Sequence, residues 1–227
     1  SAPRKGIVAL GENKDDRNLL NEVYYPKRAL EEAAEIVTGS AEGLLQSPPP
    51  VIVLPDSAAL TAAEKQSLAA WVEGGGVLIR FSGAKLAANT EDPLLPVTLR
   101  KGGRATDGAM TWEKPLAIGA MPPLSPFADL QAPKDVTVRR QILADPAEDL
   151  VQKIWLQLED GTPLMTGSKK GSGIVALVHT TAGPDWSDFC YSGLYVEMLR
   201  RMTDLGRGIA TYRPQEVQIG RASCRER

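Results

Sequence analysis

The sequence predicts an α/β sandwich, with a central, mostly parallel β-sheet between helical layers and an antiparallel extension near its end. Three observations carry this expectation. Short, uniformly apolar runs bounded by Gly, Pro or Asp mark strands buried on both faces. Two of these runs flank a helix with explicit start and stop signals, which makes a strand–helix–strand unit. Later, alternating strands joined by Asp-Gly and Lys-Gly turns read as a meander.

The elements follow in order. Gly6-Ile7-Val8-Ala9-Leu10-Gly11 is the first buried strand, and a polar loop runs from Glu12 to Arg17. Pro26 to Glu35 is expected to be an amphipathic helix with Pro26 in its first turn, where a missing N–H is harmless. Ser40 to Gln46 suits a second, short helix. Pro50-Val51-Ile52-Val53-Leu54-Pro55-Asp56 is a strand, and Thr61-Ala62-Ala63-Glu64 is a capping box opening a helix that stops at Gly74-Gly75-Gly76. Val77-Leu78-Ile79-Arg80-Phe81 is the next strand, ending in a sharp turn at Ser82-Gly83.

Residues 93 to 133 are rich in Pro and Gly, carry only short strand-like pieces such as Val97 to Arg100, and read as an irregular, partly β insertion. Strands resume at Val136 to Leu143 and at Ile154 to Leu158. Pro163 to Thr166 then pairs with Gly173 to His179. Gly193 to Leu205 is an apolar-faced helix closed by Gly206.

Composition narrows the function classes. The 227 residues fit one large domain, or one domain carrying an insertion. With 5% aromatic residues and a net charge of −2, the chain lacks both a base-stacking platform and a basic footprint, so no nucleic-acid partner is expected. No run approaches the roughly 20 apolar residues of a membrane span. One His and two Cys leave no metal-ligand spacing, and Gly74-Gly75-Gly76 precedes a strand, which a phosphate-cradling loop does not; no metal or cofactor is expected.

Ile219 to Arg227 has no periodicity and reads like the translation of a sequencing adapter, so residues 1–213 are taken as the domain. Removing the tail's three Arg and one Glu from 26 basic and 28 acidic residues leaves a net charge of −4 and a single cysteine, Cys190. The abrupt opening on a strand suggests a segment excised from a longer chain.

The stretches Leu60 to Leu86 (LTAAEKQSLAAWVEGGGVLIRFSGAKL), Asp135 to Leu143 (DVTVRRQIL) and Asp160 to Arg201 (DGTPLMTG, HTTAGPDWSDF, SGLYVEMLRR) carry a resemblance. In this order they resemble the class I glutamine amidotransferase-like domain of bacterial membrane proteins that have a Bat-type amino-terminal double-transmembrane region and a carboxyl-terminal domain of unknown function. The resemblance implies a flavodoxin-like three-layer sandwich and attachment to a membrane through segments outside this chain, on a side it does not specify. It also implies partners among the flanking domains or other proteins of a membrane complex.

Laid on the family's pattern, Phe81 takes the place of the nucleophilic Cys on the strand–helix elbow, and a benzyl side chain has no nucleophilic atom. His179 matches the family's catalytic His, but Thr180-Thr181 stands where the orienting Pro and Glu would follow. The resemblance therefore implies a catalytically silent domain. Ser82 is open to two readings, as a nucleophile activated by His179 or as a cap of its own turn. His179 could likewise be a base or a structural residue bonded to a loop carbonyl. Trp186 could face a partner or plug the core edge, and Cys190 suits an apolar interior.

Ligands of open α/β sheets bind at the carboxyl ends of the strands. The candidate rim is therefore Gly11, Glu12, Asp56, Phe81, Ser82, His179 and Thr180, with Trp186 in the loop beyond. Three functions remain open: a non-catalytic interaction or ligand-sensing domain, a hydrolase or transferase using Ser82 and His179, and a structural spacer.

Overall fold

A computed structural model describes residues 6–11, 19–101, 108–208 and 212. The fold is α/β. Seven strands form the main sheet: β1 (Gly6–Gly11), β2 (Ala34–Gly39), β3 (Val51–Leu54), β4 (Val77–Phe81), β7 (Ile154–Gln157), β8 (Pro163–Lys170) and β9 (Gly173–Val178). Their spatial order is β2-β1-β3-β4-β9-β8-β7. The first five are mutually parallel, and β8 and β7 complete the sheet as an antiparallel meander. The expected parallel sheet and antiparallel extension are thus both present.

Each parallel strand earns its place by composition. β3 and β9 are buried at every position, because helices cover both faces of the sheet and leave no side for polar residues. One layer contains α1 (Leu19–Leu30) and α6 (Gly193–Gly206), and the other α2 (Ala41–Gln46) and α3 (Ala62–Glu73). The capping box of α3 is formed as read: Thr61 Oγ1 accepts from Glu64 N, and Glu64 Oε2 accepts from Thr61 N. Ser40 caps α2 in the same way through Gly43 N.

Two expectations need correction in this half. The first helix spans Leu19–Leu30, so Pro26 lies inside it and not in its first turn. Ala34 and Glu35 belong to β2, where Ile36, Val37 and Thr38 supply the β-branched residues that favour a strand. At the other end, Gly206 is the last residue of α6 and Arg207 is the cap.

The insertion holds more order than its Pro and Gly content suggests. β5 (Met110–Ala117) pairs antiparallel with β6 (Thr137–Gln141) in a separate two-stranded sheet, with a register shift between Thr111 and Leu116. Residues 97–100 form no strand; only Leu99 makes a bridge, to Ala144. Two short helices went unread, α4 (Ala84–Ala88) after β4 and α5 (Leu150–Lys153) before β7.

The meander packs through one ring. Trp155 is fully buried between Phe127 and Tyr212, its centroid 6.2 Å and 5.1 Å from theirs, and its indole N–H donates to the Tyr212 hydroxyl at 3.4 Å. Gly167 on the neighbouring strand makes the room, since a Cβ there would overlap the indole ring. Gly167→Ala is therefore expected to cost about 1–3 kcal/mol through overpacking. A lowered urea midpoint at unchanged m-value would show it.

Candidate functional site

The carboxyl ends of β1, β3, β4 and β9 lie side by side, so the structure brings together Gly11, Asp56, Phe81, Ser82, His179 and Thr180 along one rim. Glu12 lies outside the described residues. The rim is not uniformly open. Phe81 is 1% exposed, and Ser82, His179 and Thr180 are fully buried.

The closure is built by the insertion and the loop after β9. Ile142 N donates to His179 O at 2.9 Å, and Thr180 Oγ1 donates to Arg140 O at 3.1 Å. Arg139 donates to Asp188 Oδ1 at 3.0 Å and to Pro184 O, tying β6 to the 180–188 loop. Trp186 is 7% exposed, with the Arg140 guanidinium 4.9 Å from its ring centroid. It plugs the core edge and presents little surface to a partner. Gly11 is likewise buried, its missing side chain leaving room for Leu54.

The two residues of the hydrolase reading are engaged elsewhere. Ser82 Oγ donates to Val178 O at 2.7 Å, so Ser82 bonds the neighbouring strand and does not cap its turn. His179 Nδ1 lies 2.9 Å from Ile142 O. A carbonyl only accepts, so Nδ1 carries the proton, and Nε2 accepts from the Thr166 hydroxyl 2.8 Å away. The lone pair that a general base would offer Ser82 is occupied. Burial pushes the imidazole pKa down to about 4, against the smaller opposing pull of the Ile142 carbonyl.

The turn between β4 and α4 is capped from outside. Gly83, the residue before α4, has no side chain to offer, and Asp56 reaches across from the end of β3. Its carboxylate accepts from Lys85 N and Leu86 N, both at 2.9 Å. A Cβ on Gly83 would overlap that carboxylate. Burial raises the Asp56 pKa, and the two amides, Arg80 and Lys85 pull the other way. Backbone N–H groups at such a strand–helix turn are the donors an oxyanion hole needs; here a fixed anion holds them.

Beside Asp56 lies a group the sequence reading missed. Asp92 sits 2.9 Å from Arg80 Nη1 and 3.3 Å from Lys65 Nζ, and accepts from Leu94 N at 2.8 Å. Burial pushes its carboxyl up, but Arg80, the Leu94 amide and Lys65 outweigh that and hold it low. The one signal in the chain was Arg80 itself, a charge inside an otherwise apolar strand. A cavity of about 190 Å³ opens here, lined by Asp56, Lys65, Arg80, Lys85, Asn89 and Asp92. A larger cleft of about 850 Å³ lies on the far side of Asp92, between the 90–101 and 145–153 segments. Cys190 is 8% exposed, and burial raises its thiol pKa to about 11, as an inert interior residue requires. Among the described residues, no group of three or more His, Cys, Asp or Glu is arranged to hold a metal.

His179 sets a pH dependence. Its folded pKa of about 4 lies below the ordinary 6.5, so its contribution to stability is complete above pH 6.5 and is lost as pH falls towards 4. The loss amounts to about 3 kcal/mol. Urea unfolding of the protein and of His179→Gln at pH 7 and pH 4.5 should show a steeper acid loss in the unsubstituted chain.

No family model and no curated protein matches the chain. Among solved structures, it is similar to the cytoplasmic protein STM3548 from Salmonella typhimurium, with a TM-score of 0.64 and 14% identity over 87% of this chain and 97% of that one. The cytoplasmic protein STM1381 from Salmonella typhimurium LT2 gives a TM-score of 0.61 and 13% identity over 90% and 99%. The β-galactosidase from Bacillus circulans sp. alkalophilus gives 0.56 and 15%, over 92% of this chain but only 32% of the enzyme. At these identities the likeness is one of fold.

Proposed function

We propose that this chain is a non-catalytic, ligand-sensing or interaction domain with a flavodoxin-like, class I glutamine amidotransferase-like architecture. The parallel order β2-β1-β3-β4-β9 supports the architecture, since flavodoxin-like sheets run 2-1-3-4-5. The observation that carries the functional reading is the occupied elbow. Phe81 is buried 5.9 Å from the Tyr195 ring, Asp56 holds the amides of α4, and Ser82 and His179 each bond to other groups. A nucleophile, a free base and vacant oxyanion donors are all needed for acyl transfer.

The cavity beside Asp56 favours ligand sensing over a bare spacer, which would fill its strand ends with side chains. No described helix is long and apolar enough to cross a membrane. Membrane attachment through segments outside this chain, and partners among flanking domains or other proteins of a membrane complex, are part of this proposal and come from the resemblance alone.

Esterase and amidase screens of the protein and of Ser82→Ala should give rates equal to the buffer blank in both. Turnover that disappears in Ser82→Ala would overturn this reading in favour of a hydrolase.

A further inference from the structure

We infer that the cavity at the carboxyl ends of β3 and β4 binds one small anionic group, a phosphate or a carboxylate, through Arg80, Lys65 and Lys85. The inference rests on the ligand-sensing reading for its purpose, while its chemistry comes from the cavity alone.

Size comes first. At about 190 Å³ the cavity is smaller than the roughly 300 Å³ at which sites for drug-sized ligands begin. It suits an inorganic anion, a short carboxylic acid or one terminal group of a longer molecule.

Charge comes next. Three cations face two carboxylates, and both carboxylates are fixed. Asp56 is spent on the amides of Lys85 and Leu86, and Asp92 on the Leu94 amide, Arg80 and Lys65. One positive charge is left over. The Arg80 side chain is only 12% exposed, and Nη1 serves both Asp92 and Leu94 O. Among the described residues, its Nη2 and Nε have no hydrogen-bond partner, which leaves a planar pair of donors of the kind that grips an oxyanion. Lys85 Nζ donates to Ser57 O at 3.2 Å and keeps two further donors. Asn89 contributes an uncharged amide.

The donors are also held in place before any ligand arrives. Arg80 stands on a strand bonded on both sides, to β3 and β9. Lys65 is on the helix closed by the Thr61–Glu64 capping box, and Lys85 on the helix capped by Asp56. Such preorganisation lowers the entropy cost of binding.

Asp92 then acts as a tethered competitor for Arg80 and Lys65, which gives the proposal a test with opposite signs. Isothermal titration with inorganic phosphate, and separately with acetate, is run at constant ionic strength on the protein, Lys85→Gln and Asp92→Asn. Saturable one-to-one binding is expected, weakened about tenfold in Lys85→Gln and strengthened in Asp92→Asn. The anion that binds more tightly identifies the ligand class. Absence of saturable heat with both anions overturns the proposal, as does binding that neither substitution changes. Lys85 is exposed, so Lys85→Gln stays folded and decisive even where Asp92→Asn lowers stability. Failure here leaves the non-catalytic reading standing, whereas Ser82-dependent turnover overturns that reading without touching this one.

Discussion

The molecule turns on the clasp between His179 and Ile142. Each residue donates to the other's backbone carbonyl, one through its main-chain N–H and one through an imidazole N–H. This pair pins the end of the β5–β6 sheet over the mouths of β4 and β9. Once that cover is in place, Phe81, Ser82 and Thr180 are sealed from water, and polar groups there must find partners inside the protein. The bonds from Ser82 to Val178, Thr166 to His179 and Thr180 to Arg140 answer that demand. A histidine that began as a candidate catalyst is thereby a rivet.

The same clasp divides the strand-end rim in two. The β4–β9 side is closed by the insertion, and the β3–β4 side keeps a cavity lined by the charged cluster of Asp56, Lys65, Arg80, Lys85 and Asp92. The sealed strand ends and the open cavity thus lie on either side of β4.

The layers of the fold were legible because buried parallel strands, a capping box and Gly-terminated helices all leave local marks. Val51–Leu54 and Thr61–Glu64 could be assigned from neighbours in sequence alone. Pro26 misled because proline's cost in a helix depends on context, and the following Ile36-Val37-Thr38 run was hidden by the Ala- and Glu-rich residues ahead of it. β5 was missed because its pattern is broken by a register shift and by Pro115, and its partner positions lie 20 to 31 residues further along the chain. The rim residues were placed in the right neighbourhood, but burial could not be read, since it is set by segments remote in the chain. Asp92 was invisible for the same reason: an acid in a Pro-rich loop looks solvated until Arg80 and Lys65 are seen against it.

Gly83 and Asp56 occupy one space, a glycine leaving a void that a carboxylate fills from another strand. Positions so interlocked do not drift independently. A change at either one is felt at the other, and the effects of the two are non-additive. A thiol placed at position 81 would still find the amides of Lys85 and Leu86 taken by Asp56. Freeing those amides needs a second substitution, at Asp56, and that change removes the cap of α4.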